Sequence, residues 1–160
     1  MNEATLQVAA TDTGAATDTG TPRAPDAGPG HDWRRIDTPA LLVDLDRLDA
    51  NVGWMADQAR SVGLALRPHV KTHKSAEIAK RQLAAGAVGI TVAKLDEAEA
   101  LVDGGVTAPI LLAFQIVAEP KLDRAVRLAS RVPLTVAIDR AEGAASLAAV
   151  SSAREESTAR

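Results

Sequence analysis

The sequence contains no cysteine and no tyrosine, and aromatic residues make up 2% of its 160 residues. Without cysteine, neither a disulfide framework nor a thiolate metal site can form. Because tryptophan and phenylalanine are so few, the core has to be built from aliphatic side chains. For the same reason, the ring of a bound cofactor would find few stacking partners in this chain.

Charge and hydropathy exclude further classes of partner. The formal net charge is -3, which gives no electrostatic reason to expect nucleic acid or an anionic membrane. No apolar run approaches the roughly 20 residues of a membrane span, and the N-terminus lacks the basic-then-apolar order of a signal peptide. We therefore expect a cytoplasmic protein with no nucleic-acid partner and no membrane partner.

Residues 1–32 form a low-complexity leader that is rich in Thr, Ala, Asp, Gly and Pro. Such a composition cannot bury enough apolar area to offset the entropy lost on ordering, so we predict that this leader is disordered. Regular patterning begins near Ile36, and residues 33–160 are predicted to form one domain.

From residue 41 onward, short apolar runs rich in Val, Ile and Leu alternate with amphipathic segments. The predicted strands cover residues 41–45, 64–70, 88–93, 110–114 and 134–138. The predicted helices cover residues 45–62, 75–85, 96–102, 119–129 and 141–154, with Ser75 and Asp96 as caps of the second and third. This pattern indicates an α/β fold in which helices cover a parallel sheet. A doubly wound sheet and a (β/α) barrel both stay open, although five strands are fewer than the eight of a complete barrel.

The most distinctive segment runs from Arg67 to Lys74. Lys71 directly follows the predicted strand at residues 64–70, at the sheet edge where α/β proteins bind ligands. Strand alternation places Arg67, His69 and Lys71 on one face, and such a row of cations is costly to bury without an anionic ligand. Positive neighbours also make the charge of Lys71 costly, which favours the neutral amine that imine formation with an aldehyde requires. The aldehyde that fits best is a pyridoxal cofactor.

Spacing alone leaves other interpretations of these residues open. Lys94 also follows a predicted strand and is a rival to Lys71. Lys71 and Lys74 can instead be solvated lysines of a loop. His69 and His73 are four residues apart but straddle a strand end, so their spacing does not favour a zinc pair.

Acidic residues cluster where the third predicted helix begins. Asp96, Glu97 and Glu99 lie in its first turns, where negative charge interacts favourably with the helix dipole. We therefore interpret them as capping residues and not as a catalytic pair of carboxylates. Gln115 follows the fourth predicted strand, where it can face a ligand or be solvated.

Five stretches of the chain resemble the N-terminal part of the D-threonine aldolase and D-serine dehydratase-like family. They are residues 37–44, 66–74, 91–101, 110–117 and 136–139. The Arg-Pro-His-x-Lys-x-His-Lys core at residues 67–74 is the most specific of them, and the match extends in order over about residues 36–150. This family belongs to the alanine racemase-like enzymes, which are pyridoxal phosphate enzymes of fold type III.

The resemblance implies a fold, a cofactor and a reaction. The implied fold is a partial (β/α) TIM-type barrel of the alanine racemase N-terminal domain type, with four or five of the eight strands present. Lys71, and not Lys94, falls on the Schiff-base lysine for pyridoxal 5'-phosphate, and His69 and Arg67 are predicted to bind the cofactor as well. The implied activity is that of a lyase acting on D-amino acids with a β-hydroxyl group, of D-threonine aldolase or D-serine dehydratase type. A divalent metal belongs to the full-length family, and its ligands are expected past Arg160.

Family members are more than twice as long as this chain, so we expect a truncated member that is inactive on its own. Two alternatives stay open. One is a non-catalytic or split-gene fragment that binds pyridoxal phosphate or a partner half, and the other is an amino-acid racemase or cofactor carrier on the same fold. The expected partners are a small-molecule D-amino acid and either a second copy, giving a homodimer, or a separately encoded C-terminal half.

Overall fold

The computed structural model describes residues 6–7, 32, 34 and 36–158. Its strands are β1 (Leu6–Gln7), β2 (Val43–Asp44), β3 (Ile90–Val92), β4 (Ile110–Leu112) and β5 (Leu134–Val136). Its helices are α1 (Leu45–Ser61), α2 (Ala76–Ala84), α3 (Leu95–Asp103), α4 (Glu119–Ala129) and α5 (Ala141–Thr158). These elements fall into two compact units, Met1–Met55 and Ala56–Arg160. No helix within the described ranges has the length and apolarity to cross a bilayer.

The first unit contains an antiparallel strand pair and the beginning of α1. β1 pairs with β2, with Leu6 opposite Asp44. The Asp44 carboxylate accepts a hydrogen bond from the backbone N–H of Arg47 at 3.0 Å, which caps the start of α1. Apart from β1 and Asp32, the predicted leader lies outside the described residues. The composition of the leader gave no indication of β1.

The second unit is built around a parallel sheet with the strand order β3-β4-β5. Ile90, Ile110 and Leu134 are register partners across it. Each strand of this sheet is followed by a helix, so the chain forms three successive strand–helix pairs, β3-α3, β4-α4 and β5-α5. The chain therefore returns to the same edge of the sheet after every helix, as the sequence pattern predicts.

The predicted strand at residues 64–70 is present as an extended segment parallel to β3, hereafter the 64–70 segment. Three backbone hydrogen bonds join the two: Val88 N–H to Leu66 O (2.9 Å), Thr91 N–H to Pro68 O (2.8 Å) and Val70 N–H to Thr91 O (2.9 Å). Pro68 has no N–H to donate, and regular pairing is reduced to a bridge between His69 and Thr91. Counting this segment, four parallel sections lie side by side in sequence order.

This order bears on the two architectures that the sequence leaves open. In a (β/α) barrel each strand pairs with the next one along the chain, whereas a doubly wound sheet reverses its order at a switch point. The described sheet runs from the 64–70 segment through β3 and β4 to β5 without a reversal. It therefore has the strand order of a barrel, with four parallel sections where a complete barrel has eight strands.

One face of the sheet packs against the helices through aliphatic side chains. The buried core comprises Val70, Ile90, Val92, Ile110 and Leu112 of the sheet, with Ala79, Ala98, Leu101, Ala125 and Leu128 of the helices. Alanine on α2, α3 and α4 lets each helix axis approach the sheet closely. Within the described residues this core contains no aromatic side chain, which is the core that the composition predicts.

The residues predicted to begin and end α2, and the proline predicted at the start of α4, are confirmed. The Ser75 hydroxyl accepts a hydrogen bond from the backbone N–H of Ile78 at 3.3 Å, so Ser75 is the N-cap of α2. Gly86 follows this helix with φ at +109°, a conformation that residues with a β-carbon rarely adopt. Pro120 lies in the first turn of α4, where its missing N–H costs nothing.

The predicted cap of α3 is wrong. The helix begins at Leu95 with Lys94 as its N-cap, one residue before the predicted start. Asp96 does not cap it, because its carboxylate pairs with Arg124 of α4. A favourable interaction with the helix dipole is available throughout the first turn, so sequence alone did not single out the capping position.

Arginines of α4 connect this helix to acidic residues of α3. Arg124 Nε donates to Glu99 Oε1 at 3.0 Å, and its Nη2 contacts both Glu99 and Asp96. Arg131, just after α4, donates to Asp103 at 2.7 Å. The hydrogen bond from Arg124 lowers the pKa of Asp96 from its ordinary value of 3.8. These contacts therefore stabilise the packing of α3 on α4 when the carboxylates are ionised.

We expect Gly89→Ala to destabilise the second unit. A β-carbon at Gly89 would lie 2.4 Å from the Pro109 carbonyl oxygen and 2.5 Å from Arg67 Nη1. A clash with backbone cannot be relieved by a rotamer change, so the free energy of unfolding should fall by roughly 1–3 kcal/mol. Urea denaturation followed by circular dichroism measures this loss.

The matched control is Gly53→Ala in α1, where nothing lies within 4 Å of the added β-carbon. This substitution should raise helix stability by roughly 0.5–1 kcal/mol, because alanine loses less backbone entropy than glycine in a helix. A Gly89→Ala variant as stable as the unsubstituted chain would contradict the close approach of Pro109.

We expect the effect of Arg124→Met on stability to depend on pH. A carboxyl group whose pKa is lowered on folding stabilises the folded state above its ordinary pKa, here 3.8, and loses that contribution as pH falls through the folded value. Because these groups are partly exposed, the loss at neutral pH should be about 1 kcal/mol or less. It should shrink below pH 3.8 in thermal melts taken across a pH series.

Arg127→Met is the matched control for this series, since Arg127 pairs with Asp123 inside α4 and does not reach α3. A constant difference between Arg124→Met and the unsubstituted chain from neutral pH down to strongly acidic pH would show that ion pairing to α3 is not the cause.

Candidate functional site

Lys71 lies at the carboxyl end of the 64–70 segment, as the sequence predicts. Val70 is fully buried and bound to β3 through Thr91, and the chain leaves the sheet directly after it. The backbone N–H of Lys74 donates to the Val70 carbonyl at 2.8 Å, which closes residues 70–74 into a turn, hereafter the lysine turn. The Lys71 side chain is exposed, and its ammonium makes no hydrogen bond or ion pair with any residue of the described ranges.

His69 lies beside Lys71. Its Nδ1 accepts a hydrogen bond from the Lys71 backbone N–H at 3.3 Å. In the neutral ring the proton is therefore assigned to Nε2, which leaves that nitrogen as a donor on an exposed side chain. The structure thus brings the imidazole and the lysine backbone together at one strand end.

Arg67 extends in the other direction along the sheet. Its guanidinium is half-buried, lies against Gly89 and donates from Nη1 to the Pro109 carbonyl at 3.2 Å. Gly89 and Pro109 precede β3 and β4, so this contact is at the amino ends of the strands, whereas Lys71 is at their carboxyl ends. The structure therefore brings His69, but not the guanidinium of Arg67, next to Lys71.

His73 belongs to the same turn and is held by the start of α2. Its Nδ1 accepts the backbone N–H of Ser75 at 3.1 Å. Burial lowers the pKa of His73, and the neighbouring Gln82 side chain offsets part of this effect. His73 Nε2 and Gln82 Oε1 are both buried without a hydrogen-bond partner in the part of the chain that the structure describes. A neutral imidazole with its proton on Nε2 fits this environment, and a small shift would pair it with Gln82.

Lys94 occupies the end of the neighbouring strand. It is the N-cap of α3, directly after the turn that leaves β3, and its side chain is exposed. Lys71 and Lys94 therefore lie at the carboxyl ends of adjacent parallel sections. Geometry by itself does not decide between these two amines, and the assignment of Lys71 rests on the family motif.

Polar side chains also follow the other two strands. A shallow notch between the connections after β4 and β5 is lined by Gln115, Val136 and Asp139, among others. The four carboxyl ends thus carry Lys71, Lys94, Gln115 and Asp139 in sequence order. In (β/α) barrels this edge is where binding and catalytic residues collect.

Glu97 and Lys74 form a contact at this edge that the sequence does not predict. Glu97 Oε2 accepts the backbone N–H of Ala93 at 2.9 Å, and its Oε1 lies 3.6 Å from Lys74 Nζ. Lys74 has φ at +50°, in the left-handed region. A capping box combines a glutamate three residues after the N-cap with Ser or Thr at the N-cap, whereas the N-cap here is Lys94. No sequence signal therefore identifies the contacts of Glu97 with Ala93 and Lys74.

Among residues 36–158 and the shorter described ranges, no group of three or more His, Asp or Glu side chains is arranged to hold a metal ion. His69 and His73 each use Nδ1 for a backbone N–H, on Lys71 and Ser75. No metal ligand is therefore assigned to this chain.

Comparison with known proteins identifies the family. The model of the alanine racemase N-terminal domain matches residues 43–159, which is most of the chain. The chain therefore belongs to the alanine racemase N-terminal domain family, and the fold and the family that the motifs predict are confirmed.

Within this family, the chain is similar to enzymes named as aldolases and dehydratases. D-threo-3-hydroxyaspartate dehydratase from Delftia sp. (strain HT23) is 43% identical over 115 residues, which are 71% of this chain and 30% of that enzyme. D-threonine aldolase from Arthrobacter sp. is 41% identical over 117 residues, which are 73% of this chain and 31% of the aldolase. The crystal structure of D-threonine aldolase from Filomicrobium marinum superposes with a TM-score of 0.71 at 42% identity, covering 74% of this chain and 32% of that one. The chain spans about 30% of the length of these relatives.

Proposed function

We propose that this chain supplies the lysine-bearing part of a pyridoxal phosphate-dependent lyase that acts on D-amino acids with a β-hydroxyl group. The observation that carries the proposal is Lys71, an exposed amine without an ion-pair partner among the described residues, at the carboxyl end of a parallel strand. The names of the relatives support the reaction class, since they include a D-threonine aldolase and a hydroxyaspartate dehydratase.

The residues present fit the aldehyde end of this cofactor. Lys71 would hold the aldehyde carbon as a Schiff base, and His69 fixes the backbone of that lysine while presenting Nε2–H beside it. Lys94 at the next strand end adds positive charge that a phosphate-bearing ligand offsets. When bound, pyridoxal phosphate supplies an electron sink for negative charge at the substrate Cα. The contact of Arg67 with the cofactor stays a prediction. In this structure the guanidinium donates to the Pro109 carbonyl, at the amino ends of the strands.

The residues of the lysine turn do not favour one branch of the reaction over the other. Cleavage between Cα and Cβ releases glycine and an aldehyde, whereas loss of the β-hydroxyl leads to a keto acid and ammonia. Both branches would use the same cofactor bound at Lys71, so the lysine turn would serve either one. The resemblance implies a divalent metal near the β-hydroxyl, where it would act as a Lewis acid.

Lys71 is expected to be the residue that pyridoxal phosphate modifies. The chain is incubated with the cofactor, reduced with borohydride and digested, and the labelled peptide is identified by mass spectrometry. The unsubstituted chain should carry the label at Lys71, and Lys71→Met should lose it because the other amine of this turn, that of Lys74, is paired with Glu97.

Lys94→Met is the matched control, because it removes the amine at the adjacent strand end. It should keep the label at Lys71. Label at Lys94, or an absence of label from both lysines in the unsubstituted chain, would refute the assignment.

The chain alone is expected to show no turnover of D-threonine or D-serine. Neither the outer side of the 64–70 segment nor that of β5 pairs with another strand within the described residues. An open sheet leaves its inner face exposed to water and its edges prone to association.

Release of glycine and of keto acid is measured with pyridoxal phosphate and a divalent metal present, with a full-length D-threonine aldolase as positive control. Turnover comparable with that enzyme would contradict this expectation, whereas activity gained on adding a separately produced C-terminal half would favour the split-protein alternative.

A further inference from the structure

A buried carboxylate connects the lysine turn with the end of β3. The side chain of Glu97 is 9% exposed. Its Oε2 accepts the backbone N–H of Ala93 at 2.9 Å, and its Oε1 lies 3.6 Å from Lys74 Nζ. A carboxylate buried to this extent is costly unless it is hydrogen-bonded and paired with a positive charge. The two contacts offset this cost, and they hold Glu97 against two neighbouring strand ends at once.

Lys74 has an unusual backbone conformation that this contact helps to maintain. Its φ of +50° lies in the left-handed region, which is unfavourable for a residue with a β-carbon. In that conformation its N–H donates to the Val70 carbonyl at 2.8 Å and closes the lysine turn. The Lys74 ammonium lies 3.6 Å from Glu97 Oε1. The ion pair therefore acts on the residue whose backbone defines the end of the turn.

Lys71 lies inside this turn, and its side chain makes no hydrogen bond or ion pair among the described residues. The backbone on either side therefore sets the direction in which this side chain leaves the turn. His69 holds the backbone N–H of Lys71 from one side at 3.3 Å, and Lys74 closes the turn from the other. We propose that Glu97 is a positioning residue that, through Lys74, fixes the lysine turn and so orients the Lys71 amine towards the carboxyl edge of the sheet. This inference rests on the proposed function, in which that amine binds an aldehyde.

A purely structural role for Glu97 at the start of α3 makes a different prediction, and two substitutions separate the roles. Glu97→Gln keeps a side-chain oxygen for the Ala93 N–H but removes the charge that attracts Lys74. Lys74→Met removes the same ion pair from the other side and leaves the Ala93 contact intact. If the ion pair orients the turn, both variants have the same effect and the double variant is no worse than either one.

The experiment measures the rate at which the Lys71 amine condenses with pyridoxal phosphate, with loss of one water, in the full chain. Absorbance follows the reaction, and borohydride reduction with peptide mapping verifies the site. Glu97→Gln and Lys74→Met should each slow it by roughly twofold to fivefold, the range expected for an ion pair in which the lysine side chain is 56% exposed. Lys74→Arg keeps the charge and should restore the rate. Glu77→Gln is the control, since it removes an exposed ion pair with Arg81 inside α2 and should leave the rate unchanged.

Amide hydrogen exchange without cofactor provides a second measurement. The N–H of Lys74 should exchange faster in Glu97→Gln and Lys74→Met, while the N–H of Ile110 in the sheet keeps its protection. Unchanged exchange and unchanged condensation rates in both variants would overturn the inference. If the unsubstituted chain never condenses at Lys71, the proposed function fails, and the exchange of Lys74 still decides whether Glu97 holds the turn.

Discussion

Backbone pairing between the 64–70 segment and β3 determines where the Lys71 amine lies. Thr91 of β3 uses both of its main-chain groups for this purpose, its N–H on Pro68 and its carbonyl on Val70. The buried Val70 side chain then anchors the end of the segment in the aliphatic core. Because that anchor is one residue before Lys71, the amine emerges at the carboxyl edge of the sheet. The lysine turn, the contact of His69 with Lys71 and the ion pair of Glu97 with Lys74 all lie next to this anchored residue.

α3 distributes its acidic residues between two tasks. Asp96, Glu99 and Asp103 recur at helical spacing on one side and pair with arginines at α4. Glu97 points to a different side and contacts the lysine turn. The first set joins one helix to the next, as a layer of helices around a sheet requires. Glu97, the remaining acidic residue of α3, is the one that lies next to the candidate site at Lys71.

Much of the fold could be predicted because its signals are local. Aliphatic periodicity and caps such as Ser75 depend on neighbouring residues, and the corresponding helices are where the sequence predicts them. Two features depend on distant residues and could not be predicted. The direction of Arg67 along the strand is set by the absence of a β-carbon at Gly89 and by the Pro109 carbonyl. The contact between Glu97 and Lys74 joins two neighbouring strand ends, and it forms where the backbone of Lys74 is left-handed.

The division of the chain into residues 1–55 and 56–160 has a spectroscopic consequence. Both tryptophans, Trp33 and Trp54, precede residue 56 in the sequence, and Phe114 is the sole aromatic residue after it. Fluorescence excited at the indole band therefore does not arise from residues of the unit that carries Lys71. A chromophore attached to that lysine would be observed against a background free of tyrosine and tryptophan from its own unit.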